Sequence, residues 1–85
     1  MANEDDHVAD GATDAILTLL AQRATGATIC PSEAARRLAP DAWRDRMSEV
    51  HAATDALLAD GRVRLSWKGE PLAARDGPYR IALAR

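Results

Sequence analysis

The spacing of apolar residues changes once along this 85-residue chain. Over the first two thirds they recur every three or four positions, which is typical of amphipathic helices. This spacing predicts helices near 13–25, 31–39 and 41–60. In the last third apolar and polar residues alternate, which predicts a two-stranded antiparallel hairpin with strands near 62–68 and 78–84. The polar, glycine- and proline-containing stretch between those strands predicts a long loop.

Local signals predict where the second helix begins and ends. Pro31 lacks an amide hydrogen, so it belongs at the first helical position, which makes Cys30 the N-cap. Glu33 then stands at the third helical position, as in a capping box, with cysteine in place of the usual serine or threonine. Pro40 ends the helix.

The ends of the other two helices are less sharply marked. Asp10 or Thr13 caps the first helix, and Gly26 ends it. For the third, Asp41 predicts one continuous helix, whereas Ser48 as a second cap predicts a short helical turn followed by the main helix. The spacing leaves both alternatives open.

The phase of each element predicts a small shared core. Tyr79 also faces inward, with its hydroxyl at the surface. We expect the following residues to be buried together: Trp43, Leu57, Val63, Leu65, Trp67 and Ile81.

Helices followed by a C-terminal hairpin predict an α+β domain, and a short helix turning into a longer one is the helix-turn-helix pattern. The expected architecture is a winged helix-turn-helix: three helices followed by a two-stranded antiparallel hairpin, the wing. Residues 1–11 are predicted to be a disordered acidic tail and residues 12–85 the winged-helix domain.

Charge is unevenly distributed. The formal net charge is −2, but residues 1–14 carry five acidic and no basic side chains, so the rest of the chain is basic. A single cysteine excludes an internal disulfide and, with no signal peptide or long apolar run, favours the cytoplasm and no membrane partner.

Three stretches carry a family resemblance: "TICPSEAARRLAP" (28–40), "WRDRM" (43–47) and "LLADGRVRLSWKGEP" (57–71). Together they resemble an uncharacterised family of small bacterial winged-helix proteins, a domain of unknown function, over residues 13–84. The resemblance implies the winged-helix fold and a bacterial origin. It implies no activity.

The chemistry-bearing residues do not predict an enzyme. Cys30 could be a reactive thiol at a helix N-terminus, but a structural cap is the favoured interpretation. His7 and His51 with one cysteine are too few for a metal site, and a Cys30–His51 pair has no third catalytic group. We therefore expect no catalytic residue, no metal and no cofactor.

The cationic side chains are the candidate site. We expect double-stranded DNA contacts through phosphates from Arg36, Arg37, Arg44, Arg46, Arg62, Arg64, Lys68, Arg75 and Arg80.

The outward face of the third helix argues against base reading, because Glu49 and Asp55 would repel phosphates. The predicted function is therefore nucleic-acid binding with little sequence specificity, as in some transcriptional regulators. The alternative is a protein–protein interaction module on the same scaffold, without DNA binding.

Overall fold

Three helices precede a small antiparallel sheet. A computed structural model describes the backbone of residues 4–84 and the side chains of residues 11–84. The predicted α+β class is confirmed, and the architecture is consistent with a winged helix. The elements are α1 (Glu4–Ala21), α2 (Pro31–Leu38), a 3₁₀ turn (Trp43–Arg46), α3 (Met47–Ala59), β1 (Val63–Trp67), β2 (Glu70–Leu72) and β3 (Arg80–Leu83).

Helix α1 begins and ends earlier than the sequence predicts. It starts at Glu4 rather than near residue 13, so neither Asp10 nor Thr13 caps it, and residues 4–11 of the predicted tail lie in the helix. Residues 1–3 are outside the described part of the chain. Acidic side chains near the N-terminus of a helix interact favourably with the positive end of the helix dipole. The prediction of a disordered tail did not take this interaction into account. Gly26, with φ of 85°, lies in a turn beyond the helix end at Ala21.

The predicted start of α2 is confirmed. Cys30 is the N-cap with extended backbone angles, φ −83° and ψ 146°. Its amide donates a 2.8 Å hydrogen bond to Glu33 Oε2, which is the carboxylate half of a capping box. The helix ends at Leu38, directly before the Ala39–Pro40 pair.

For the third helix, the two-part alternative is confirmed. A 3₁₀ turn precedes α3, and the residue before α3 is Arg46 rather than Ser48. Gly61, with φ of 72°, follows the C-terminus. Its amide bonds to the Leu58 carbonyl and the Arg62 amide to the Leu57 carbonyl, which is the Schellman pattern.

The sheet has three strands rather than two, in the order β2-β1-β3. The predicted long loop contains β2, because Lys68 and Gly69 both have positive φ (52° and 83°) and form a two-residue turn between Trp67 and Glu70. Such turns favour Asn-Gly or Asp-Gly, so the Lys-Gly pair did not indicate one. Pro71 is tolerated because β2 is an edge strand.

Residue Ile29 ties the link between α1 and α2 to the sheet. Its amide and carbonyl each bond to Ile81 at 2.9 Å, on the edge of β3 away from β1. Both isoleucines are fully buried. The short extended link therefore joins the helical and sheet halves in one core.

Four of the six predicted core residues are buried: Leu57, Val63, Leu65 and Ile81.

The two tryptophans depart from the core prediction. Trp43 is half-buried against the core, and Trp67 is 37% exposed, so its predicted burial is wrong. Trp67 ends β1 directly before the Lys68–Gly69 turn. Alternation gives the side of the sheet that a residue faces, but helices must cover that side before the residue is buried.

Candidate binding surfaces

The outer face of α3 carries two arginine–carboxylate pairs. Arg46 binds Glu49 through Nε (2.5 Å) and Nη2 (3.1 Å), and Arg75 binds Asp55 through Nε and Nη2, both at 2.7 Å. These hydrogen bonds lower the pKa of each carboxyl group and raise the pKa of each guanidinium. The two carboxylates that would repel phosphates are thereby neutralised, and two predicted phosphate contacts are occupied.

Arg80, a predicted phosphate contact, is bonded within the fold. The side chain is half-buried, and it donates to Thr28 Oγ1 at 2.6 Å and to Cys30 Sγ at 3.1 Å. The reason is the Ile29–Ile81 pairing, which brings the Thr28–Cys30 link against the start of β3. Arg80 therefore stabilises the connection between the sheet and α2 through these hydrogen bonds.

Trp43 brings together two predicted contacts from different elements. The guanidinium carbon of Arg36, on α2, lies 4.5 Å from the indole centroid, and that of Arg44, in the 3₁₀ turn, lies 4.4 Å from it. Both arginines are exposed. The apolar spacing of its helix predicts Trp43 only as a core residue; the arginines that precede and follow it in the sequence were the available signal for these contacts.

The remaining predicted contacts are exposed: Arg37, Arg62, Arg64 and Lys68. Arg37 follows Arg36 on α2, and the other three lie along β1 and its ends. Because a strand rises about 3.3 Å per residue, Arg62 and Lys68 are about 20 Å apart. The nine residues therefore divide into a turn patch (Arg36, Arg37 and Arg44), a row along β1 (Arg62, Arg64 and Lys68), and Arg46, Arg75 and Arg80, whose hydrogen bonds are given above.

An apolar groove lies between the start of α3 and the turns of the sheet. The sequence pattern did not predict it. Its volume is about 310 Å³. Exposed Trp67 forms one wall of the groove. Its position directly before a tight turn could have indicated that its side chain would be exposed. The side chains that form the groove are mainly those of Pro31, Met47, His51, Trp67, Pro78 and Tyr79.

The family of this chain follows from its sequence match. The family described as "Protein of unknown function (DUF3253)" matches residues 9–84. The chain belongs to the DUF3253 family. No curated protein matches it. The family match starts before residue 13, where the predicted resemblance began, and inside the observed α1.

His51 of the DUF3253 domain lies in the groove, which Cys30 also lines, and its side chain is bonded to Tyr79. Its Nδ1 lies 2.7 Å from the hydroxyl of Tyr79, which is buried instead of reaching the surface as predicted. Burial, followed by the charge of Arg75, lowers the pKa of His51, and burial raises the pKa of Tyr79. The thiol of Cys30 contacts Arg80, so each member of the pair considered above has another partner.

Two further observations concern the described part of the DUF3253 domain. Within residues 4–84, no helix combines the length and apolar character that a membrane span requires. Among residues 11–84, whose side chains the structure describes, no three histidine, cysteine, aspartate or glutamate side chains cluster so that they could hold a metal ion.

Proposed function

We propose that the chain is a winged-helix protein that binds nucleic acid weakly, through the phosphate backbone. The proposal rests on which charged side chains on the surface are paired with an opposite charge and which are not. The carboxylates on the outer face of α3, Glu49 and Asp55, are held by arginines. The three arginines of the turn patch are exposed and, among the described residues, have no carboxylate partner. Cations in this state are available to phosphates.

The order of elements supports placement in the winged-helix superfamily. Helix α2 and helix α3 form the helix-turn-helix pair, Ile29 contributes the short first strand, and β1 and β3 flank the wing. The connection from α2 to α3 is longer than the usual three or four residues, because it includes the 3₁₀ turn.

Low sequence specificity follows from the side chains on α3. The exposed positions of a recognition helix must present hydrogen-bonding groups to base edges. Here Ala52, Ala56 and Ala59 are exposed, and Asp55 is bonded to Arg75. Contacts to phosphates position a protein on a duplex but carry no sequence information.

The test is fluorescence anisotropy with two unrelated duplexes over a range of salt concentrations. If the three arginines of the turn patch, with Arg62 and Lys68, together neutralise about four or five phosphates, log affinity falls with log salt at a slope of about −4 to −5, equally for both duplexes. Arg37→Gln should make the slope shallower by about one. Arg23→Gln removes the same charge from an arginine that is paired with Glu33, so it is the matched control and should change the slope less. Absence of binding by folded protein at low salt would overturn the proposal.

A second candidate function, binding to another protein, is favoured by the apolar groove. A large exposed aromatic beside prolines and a methionine is the composition of a site that receives an apolar side chain. Peptides selected from a displayed library for binding to the wild type should lose binding to Trp67→Ala. Peptides that bind both proteins equally would count against this use of the groove.

A further inference from the structure

We propose that Trp43 holds Arg36 and Arg44 as a two-arginine clamp for one phosphate group of a nucleic-acid backbone. This inference rests on the nucleic-acid binding proposed above and assigns its principal phosphate contact. The ligand is a backbone phosphate, and the indole is a positioning group that does not touch it.

The geometry of the turn brings the two guanidinium groups to one ring. Arg36 lies on the last turn of α2 and Arg44 in the 3₁₀ turn, and both stand over the indole of Trp43 at 4.5 and 4.4 Å. Trp43 itself packs against the core, so the surface on which the arginines rest is fixed by the fold. Long side chains that would otherwise sample many rotamers are thereby held in place.

The electrostatics of this arrangement favour an anion. Two guanidinium groups beside one ring repel each other, and an anion bound by both would relieve that repulsion. Three other arginines, Arg23, Arg46 and Arg75, have carboxylate partners, whereas Arg36 and Arg44 have none among the described residues. The pair is therefore pre-arranged and not neutralised.

The shape of the guanidinium group identifies phosphate as the match. Stacking on a ring occupies the faces of the guanidinium plane but leaves its N–H groups, which lie in that plane, directed outward. Planar forks of this kind bind phosphate oxygens through paired hydrogen bonds. Two forks on one ring can contact several oxygens of a single phosphate.

The experiment replaces the two guanidinium groups without changing the charge of the protein. In Arg36→Lys with Arg44→Lys, both cations remain but the planar fork and its stacking are lost. Duplex affinity should fall about tenfold, while the salt slope, which counts charges, should stay the same. Arg23→Lys is the matched control, since Arg23 is an exposed arginine outside the turn patch that pairs with Glu33, and it should stay within about twofold of wild type. In NMR spectra of the wild type, the Nε–H signals of Arg36 and Arg44 should shift when duplex is added.

The possible outcomes distinguish the two-arginine clamp from the proposed nucleic-acid binding on which it rests. If the wild type binds duplex and the double lysine variant, confirmed as folded by circular dichroism, binds equally well, the stack is purely structural and the clamp is wrong, while nucleic-acid binding stands. The same conclusion follows if Arg23→Lys loses as much affinity as the double variant. If folded wild type binds no duplex at low salt, both proposals are overturned.

Discussion

His51 is the residue whose protonation the fold opposes. Its Nδ1 meets the Tyr79 hydroxyl, and burial is the largest cause of its lowered pKa, followed by the charge of Arg75. Because the folded pKa lies below the unfolded value of about 6.5, the unfolded chain binds more protons between the two values. Stability from this group is therefore complete above about pH 6.5 and decreases as the pH falls toward the folded pKa.

Melting temperatures measured at about pH 7.5 and about pH 5.5 test this prediction, because the lower value is still above the ordinary carboxyl pKa of about 4. The wild type should melt at a lower temperature at the lower pH. His51→Gln should remove most of the difference, while His7→Gln, the matched control, should retain it. A wild type with the same melting temperature at both values would contradict the prediction.

Contacts between near neighbours in the sequence could be predicted, and those between distant residues could not. The Cys30–Glu33 cap follows from Pro31 alone, because a missing amide hydrogen fixes the helical phase. Arg80 is 50 residues from Cys30 and Arg75 is 20 from Asp55. An outward position on a strand or loop shows that a side chain can reach solvent, but not which partner from another element it meets.

At the level of elements, the clearest prediction concerns the effect of Gly11 on the stability of helix α1. This residue lies inside the helix, and an added Cβ would meet only Leu38 Cδ2, at an ordinary 3.8 Å. Gly11→Ala should therefore stabilise the fold by about 0.5–1 kcal/mol, because alanine loses less backbone entropy on folding.

Urea unfolding of Gly11→Ala measures that gain. Gly26→Ala is the matched control: it also has open space around it, but φ is 85°, so this change should destabilise. No gain at Gly11 would mean that the helix in solution starts nearer residue 13, as the sequence pattern predicts.

Two element boundaries were missed for different physical reasons. The start of α1 is a stretch without an apolar stripe, and periodicity detects helices only where one face is apolar. Strand β2 has three residues, one of them Pro71, which is too short for alternation to be visible. Its existence depends on pairing with β1, a tertiary effect that intrinsic strand preference does not contain.

For the whole molecule, the acidic N-terminal segment sets the balance of charge. Changing Glu4, Asp5 and Asp6 to their amides shifts the formal net charge from −2 to +1. Duplex affinity should rise, and rise more at low salt, because the screening length is about 30 Å at 0.01 M and about 10 Å at 0.1 M.

Anisotropy titrations at those two salt concentrations measure the effect. The matched control exchanges acid for acid, Glu4→Asp with Asp5→Glu and Asp6→Glu, and should leave the affinity unchanged. An equal gain at both concentrations would indicate that the segment acts by something other than its charge.

The pairing of Ile29 with Ile81 also determines how copies of this chain can meet. An open strand edge is a template on which a second chain can add its own strand. Here Ile29 occupies the edge of β3, and the opposite edge is the short β2, in which Pro71 has no amide to donate. The addition of a strand from a second chain is thus disfavoured at both edges of the sheet.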